Sequence, residues 1–211
     1  MAKATSKKGN TPAKKELINA TSYAFLKTYI NNASPVGFET SGQKIWLEYL
    51  TKYVDTTYTD AYGTAVGVIN PEAPFKVVIE AHADEISWFV NYINDQGLIH
   101  LKRNGGVDHQ IAPSMRVWIH GKKGPVKAVF GWPAIHTRHG EKEEAPQLKN
   151  IFLDCGCTSK EEVEKLGVHV GCVITYPDDF FILNEDKFLC RALDNRIGCF
   201  MIAQVARLLK E

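Results

Sequence analysis

The segment AHADEIS, residues 81–87, places a histidine and two carboxylates directly after the apolar run FKVVIE. The apolar run predicts a buried β-strand, and residues two apart on a strand share a face. His82 and Asp84 would then point the same way, and Glu85 the opposite way. A metal-binding histidine commonly donates its second ring N–H to a carboxylate, so this pair suits a metal ligand and its support. A polar strand end that reaches water is the alternative, and the spacing leaves both open.

A second polar group lies near the end of the sequence, in CRALDNRIG, residues 190–198. Asp194 is predicted to lie where a loop enters a helix. The helix dipole and the free N–H groups of a first turn favour a carboxylate there, so its role could be structural. Alternatively, its two oxygens bridge two metal ions. Arg196 then pairs with a neighbouring carboxylate and stiffens the loop, or else forms a surface or interdomain salt bridge.

The composition is that of an ordinary globular chain. Of 211 residues, 45% are hydrophobic and 23% are charged, and the formal net charge is +1. Near-neutral charge argues against nucleic acid as a partner, and no apolar run is long enough to span a bilayer. The odd number of cysteines, five, and a basic N-terminus without an apolar core predict free thiols in a reducing cytoplasm.

The hydrophobic pattern predicts α/β segments on either side of a β-rich middle. Helical periodicity covers residues 14–31 and 39–53, and two short strands surround a turn at Tyr62-Gly63. From about residue 91, short strands alternate with Gly and Pro, which is typical of a small barrel or sandwich. One helix, SKEEVEKLG, interrupts these strands, and a further helix ends the sequence.

Several segments occur together in an order found in one known family. They are SPVGFE (34–39), DAYGT (60–64), HADEIS (82–87), GGVDHQI (105–111), VFGWPAIH (129–136), DCGCTSKEEVEKLGVHVG (154–171) and RALDNRIG (191–198). From about residue 15 onward, the chain resembles the dinuclear metallo-aminopeptidases, a family of glutamyl, deblocking and tetrahedral (TET) aminopeptidases that includes endoglucanase-like proteins. The resemblance rests on all of these segments in register and on no single motif.

The resemblance implies an α/β fold: a peptidase-type catalytic domain, with a mixed sheet flanked by helices, interrupted by a small β-barrel insert that mediates assembly. In this sequence the expected divisions are a disordered basic tail at 1–14, catalytic parts at 15–90 and 177–211, and the insert at 91–176. The second catalytic part is expected to be incomplete at its C-terminus. The resemblance also implies a dimer-based homo-oligomer, which in this family reaches a tetrahedral dodecamer.

The resemblance further implies a role for each polar residue. His82 binds one metal ion, Asp84 supports that ligand, and Asp194 bridges two metal ions and precedes a cis peptide. Two divalent cations, zinc or cobalt, would activate a water, and a Glu general base would pass its proton to the leaving amine of a peptide cleaved at its amino end. Asn195 stands where the family commonly has a second Asp, which removes one charge near the site.

The family's general base, a metal-binding Glu beside it, a further Asp and a late His all follow the ALD motif, and we expect none of them in this sequence. His82 and Asp194 alone do not complete the coordination of two metal ions. Two hypotheses follow. The chain is the N-terminal portion of a metal-dependent aminopeptidase, or it is a non-catalytic truncated fragment or assembly module that lacks the general base. They differ in whether the missing residues follow residue 211 in the intact protein.

Overall fold

The computed structural model describes residues 16–138, 145–177 and 179–211, so the predicted tail at 1–14 lies outside it. The helices are α1 (Ala20–Asn31), α2 (Thr40–Leu50), α3 (Lys160–Lys165) and α4 (Leu193–Lys210), with a short 3-10 helix at Ile135–Thr137. The strands are β1 (Thr56–Thr59), β2 (Ala65–Val68), β3 (Ser87–Ile93), β4 (Ile99–Asn104), β5 (Arg116–Gly121), β6 (Gly124–Gly131), β7 (Phe152–Asp154), β8 (Val173–Thr175), β9 (Phe181–Leu183) and β10 (Lys187–Leu189). The predicted mixed α/β character is confirmed.

The β-rich middle is a closed barrel. Its strands follow the order β3-β4-β7-β6-β5-β8, and every neighbouring pair is antiparallel. Leu153 of β7 shows how tightly the ring is joined, because it pairs with Ile99 on one side and with Phe130 on the other. All three of these side chains are buried, as expected where alternate residues of each strand face the interior. The barrel therefore has a hydrophobic core of its own.

Helices α1, α2 and α4 form a second core beside the barrel. Phe25 of α1 stacks on Tyr49 of α2 at a ring separation of 4.0 Å, and Trp46 donates its indole N–H to the carbonyl of Cys199 in α4 at 2.8 Å. α1 begins at Ala20, six residues later than the predicted helix start at residue 14, because the side chain of Asn19 accepts a hydrogen bond from the N–H of Ser22 at 2.8 Å. None of the helices in the described ranges is long and apolar enough to cross a membrane.

The hairpin of β1 and β2 confirms the predicted turn at Tyr62-Gly63. The side chain of Asp60 accepts hydrogen bonds from the backbone N–H groups of Tyr62 and Thr64, both at 2.9 Å. The hydrogen bond from Thr64 contributes most to lowering the pKa of Asp60 below its usual value. Gly63 supplies a positive φ of 94°, which a residue with a side chain rarely adopts. The DAYGT segment is therefore a turn motif.

The predicted buried strand at residues 75–80 is wrong. Phe75, Val77, Val78 and Ile79 are 79%, 74%, 83% and 56% exposed. Within the described ranges, the segment forms no strand ladder, and pairing begins only at Glu85, which bridges to Pro35. Apolar composition predicts that side chains favour burial, but a strand is buried only where neighbouring elements cover it. The described part of the chain provides no such cover here.

The barrel core offers a direct test of the fold. Ile174 on β8 is fully buried and its strand pairs with both β3 and β5, whereas Ile111 is 65% exposed. We expect Ile174→Ala to lower the free energy of unfolding by about 2–5 kcal/mol, because buried contacts are lost and a cavity remains. The matched change Ile111→Ala should cost less than about 0.5 kcal/mol. Urea denaturation followed by tryptophan fluorescence measures both, and equal losses would contradict the barrel packing.

Candidate metal centre

His82 lies between two carboxylates. Its Nδ1 is 3.0 Å from Oδ1 of Asp84, and its Nε2 is 3.1 Å from Oδ1 of Asp194. The side chains of His82 and Asp194 are 54% and 96% exposed, so the group faces solvent. The structure thus brings together the three site residues singled out in the sequence, although His82 and Asp194 are 112 positions apart.

The segment that carries His82 and Asp84 lies before β3 and is not part of a strand. The N–H of Glu85 donates to the carbonyl of Ser34 at 2.9 Å, and the N–H of Val36 donates to the carbonyl of Glu85 at 3.2 Å. On the other side, Sγ of Cys199 in α4 donates to the carbonyl of His82 at 3.4 Å. The segment is therefore held between the loop after α1 and the beginning of α4, and the SPVGFE motif supplies that loop.

Asp194 is presented by an interruption of helical geometry at the start of α4. Ala192 has a left-handed φ of 60°, Asp194 and Asn195 have non-helical dihedral angles, and the peptide between them is cis, as the resemblance implied. Regular helix therefore follows Asn195. Gly198 permits the close packing of this turn, since a Cβ there would lie 2.5 Å from Oδ1 of Asn195 and 3.0 Å from Cβ of Ala81. The carboxylate of Asp194 meets His82 and so is directed out of the helix.

A buried ion pair lies next to the candidate ligands in the chain, and no pattern in the sequence predicted it. Glu85 is 5% exposed, and its carboxylate accepts hydrogen bonds from the N–H of Ser34 at 2.6 Å and from Nη1 of Arg191. The prediction that Glu85 points away from His82 and Asp84 agrees with this arrangement. What the sequence did not reveal is that the carboxylate is buried and paired, because its partner Arg191 lies 106 positions away.

Arg196 completes this ion cluster. Its side chain is fully buried, and Nη1 lies 3.9 Å from Oε1 of Glu85. The guanidinium donates to the carbonyls of Tyr29 and Ile30 near the end of α1 and lies 4.3 Å from the centroid of the Tyr29 ring. A cation at these carbonyls also complements the helix dipole. The interpretation that Arg196 pairs with a carboxylate and stiffens the Asp194 loop fits this geometry better than a surface salt bridge does.

A cavity of about 250 Å³ adjoins the site and includes Asp194 in its wall, together with Ile86, Val107 and Tyr176. A larger cavity of about 680 Å³ lies against β5 and β6 of the barrel and is lined by none of His82, Asp84 and Asp194. We associate the chemistry with the smaller cavity, because a binding site must adjoin the groups that react.

The residues present fit part of a metal site. Across residues 16–138, 145–177 and 179–211, no group of three or more His, Cys, Asp and Glu side chains is arranged to hold a metal ion. Imidazole and carboxylate are nevertheless ligand types that zinc accepts, and the contact of Asp84 with Nδ1 is the support that a metal-binding imidazole usually has. His82 and Asp194 would therefore supply two ligands of such a site, and a closed coordination sphere needs more.

Comparison with known protein families identifies the family of the chain. The model of a family described as M42 glutamyl aminopeptidase matches residues 63–211. The chain belongs to this family. The resemblance inferred from the motifs is thus confirmed, and the match includes both segments that carry the candidate ligands.

Individual relatives show how much of an M42 protein the chain represents. The putative aminopeptidase FrvX of Escherichia coli (strain K12) is 33% identical over 171 residues, which are 80% of this chain and 48% of FrvX. Lysyl aminopeptidase of Pyrococcus furiosus is 27% identical over 192 residues, 90% of this chain and 55% of that protein. The crystal structure of a TET aminopeptidase from the marine sediment archaeon Thaumarchaeota archaeon SCGC AB-539-E09 matches with a TM-score of 0.85 at 27% identity, covering 90% of this chain and 54% of that one. The chain spans about half the length of these relatives.

The buried ion cluster makes a stability prediction. Glu85→Gln would remove the negative charge that faces two arginines, so we expect the free energy of unfolding to fall by about 3–5 kcal/mol. The exposed Glu80 gives the matched control, and Glu80→Gln should change the stability by less than about 0.5 kcal/mol. Chemical denaturation measures both variants. If the two lose the same amount, Glu85 is not a required counter-charge.

Proposed function

We propose that the intact protein is a metal-dependent aminopeptidase that removes residues from the amino end of peptides, and that this chain supplies one side of its dinuclear metal centre. The observation that carries the proposal is the placement of His82 between two carboxylates, at 3.0 Å and 3.1 Å, in a chain of the M42 family. A histidine with one ring nitrogen on a supporting carboxylate and the other directed at a second carboxylate is suited to binding a divalent cation.

Each of the three residues has a distinct role in the proposal. His82 binds one ion through Nε2, which requires that Nδ1 carry the proton and donate a hydrogen bond to Asp84. Asp84 thereby fixes the tautomer and the orientation of the ring. Asp194 has two carboxylate oxygens on a side chain that is 96% exposed, so it has the reach and the freedom to bridge two ions. Two divalent cations, zinc or cobalt, would supply Lewis-acid activation of water and of the scissile carbonyl.

The general base and the remaining ligands are proposed to come from polypeptide that these 211 residues do not include. The family match and the share of each relative that the chain covers support this proposal, because about half of each relative has no counterpart here. The general base would take the proton of the attacking water and give it to the leaving amine.

A non-catalytic assembly module is the second candidate, and the closed barrel favours it. The barrel completes its strand ring and its core within the described ranges, whereas the metal site does not complete its ligand set there. In either case we propose a dimer-based homo-oligomer, up to a dodecamer, with peptides as substrates where the protein is active. We propose no nucleic-acid or membrane partner. A cytoplasmic location is also proposed, and it is supported by the free cysteines of the chain.

Removal of either ligand tests the proposed reaction. In the intact protein, His82→Ala and Asp194→Ala should each lower the zinc- or cobalt-dependent release of amino-terminal residues by more than about 100-fold, because a ligand to the ion is lost. His136→Ala is the matched control, since His136 is exposed on the 3-10 helix, and it should retain activity. Release is followed with amino-acid amides by chromatography. An intact protein without activity in either metal would favour the assembly module.

Asp84 can be tested separately from the ligands. Asp84→Asn keeps the size of the side chain but weakens the hydrogen bond to Nδ1 of His82, so we expect metal affinity to fall by about 10–100-fold. Isothermal titration of zinc into the intact protein measures this affinity. Asp95→Asn, at an exposed turn of the barrel, is the control and should bind zinc as the unaltered protein does. Unchanged affinity in Asp84→Asn would remove Asp84 from the site.

A further inference from the structure

Apart from Asp194, the residues that line the cavity beside it have no part in the proposed ligand set. Its walls come from both parts of the molecule: Ile86 from the segment before β3, Val107 from the loop after β4, Tyr176 from the chain after β8, and Ala192 from the turn before α4. Asp194 is 96% exposed and so marks its open side. A group that enters this cavity would therefore lie next to the metal-bridging carboxylate.

The interior of this cavity carries little uncompensated charge. Glu85 and Arg191 also line it, but they form an ion pair with each other, and their side chains are only 4% and 8% exposed. Asp194 adds a carboxylate at the open side, and the rest of the wall is aliphatic or aromatic. Entry of an apolar group is favoured, because it removes apolar surface from water. A charged group that passed Asp194 into the aliphatic and aromatic part of the cavity would lose its hydration, which opposes its entry.

The GGVDHQI motif builds one wall of the cavity. Gly105 has a φ of 83°, and a Cβ there would lie 3.1 Å from Cγ2 of Ile86, so glycine lets this loop approach the segment that carries His82. Val107, two residues later, is 3% exposed. The GGVDHQI motif supplies none of the proposed metal ligands, but its Val107 lines the cavity.

Tyr176 also lines the cavity and packs against the barrel core. Its ring meets Trp88 edge-on at 5.3 Å. Burial, followed by the charge of Asp108, raises the pKa of Tyr176, so its hydroxyl stays protonated at neutral pH. Within the described residues this buried hydroxyl has no hydrogen-bond partner. The wall is thus rigid and neutral and retains one unused hydrogen-bonding group.

We propose that this cavity binds an apolar side chain of the substrate, on one of the two residues that flank the scissile bond, and that Ile86, Val107 and Tyr176 set its size. The substrate class is then peptides with a leucine-, methionine- or phenylalanine-like residue at that position. The proposal rests on the proposed aminopeptidase function and adds to it a subsite to which the barrel contributes.

Ile86 is the position at which to test this subsite, since it is 56% exposed and tolerates replacement better than the buried Val107. The intact protein is assayed on two dipeptide series, one varied on each side of the scissile bond. In one series we expect kcat/KM for Leu and Phe to exceed that for Glu and Lys by at least about 10-fold. Ile86→Glu should abolish this preference. Ile86→Trp should lower the values for Leu and Phe by at least about 10-fold and leave Ala within about 3-fold, because it fills the cavity.

Ile111→Glu and Ile111→Trp are the matched controls, at an exposed position that does not line the cavity. Both should leave the preference unchanged, and zinc content should be equal in all variants. The subsite is overturned if the unaltered protein prefers charged residues in both series, or if neither Ile86 variant changes the profile.

The subsite can also be tested without catalysis. If the unaltered protein hydrolyses no peptide with zinc or cobalt, the result contradicts the proposed aminopeptidase function but does not test the subsite. Binding of leucinamide, compared with lysinamide by nuclear magnetic resonance titration, then decides the subsite. Selective binding of leucinamide that Ile86→Glu removes would support it, and equal or absent binding of both amides would overturn it.

Discussion

The geometry of the candidate site depends on one buried ion cluster. The carboxylate of Glu85 is 4% exposed, and it lies between the guanidinium groups of Arg191 and Arg196, which are 8% and 0% exposed. Burial of such charges costs several kcal/mol per ion unless each meets well-placed partners. Glu85 directly follows Asp84, and Arg191 stands three residues before Asp194. The cluster therefore joins the segment that carries His82 and Asp84 to the segment that carries Asp194, although the two lie far apart in the chain.

Small residues let these two segments approach closely enough for the cluster to form. Ala81 packs against the helical core, and Gly198 on α4 faces it where any side chain would collide. The same segment turns its larger polar residue, His82, to solvent. The site is thus rigid on its inner side and open on its outer side. This arrangement holds His82 and Asp194 in position while leaving both side chains open to solvent.

Local patterns in the sequence predicted what is local in the structure. The contact of His82 with Asp84 follows from alternation along an extended segment, and it survives although that segment is not in a strand. The approach of Asp194 was not deducible from spacing, since no local pattern relates residues 112 apart, and only the family resemblance connected them. The burial of Glu85 was not predicted for the same reason, because its partner Arg191 is 106 positions away. The prediction of a buried strand at residues 75–80 was wrong for a different reason. Composition shows which side chains favour burial, but it does not show whether other elements cover them.

The barrel and the site are joined without a flexible linker. β3 begins at Ser87, two residues after Glu85. Asn104, at the end of β4, donates to Oγ of Ser87 and to the carbonyl of Val36, both at 3.0 Å, so the barrel is also bonded to the loop that holds Glu85. A closed and filled barrel moves as a unit. Any contact that fixes the barrel therefore also fixes one wall of the cavity beside Asp194. The barrel therefore shapes the cavity beside Asp194 through packing.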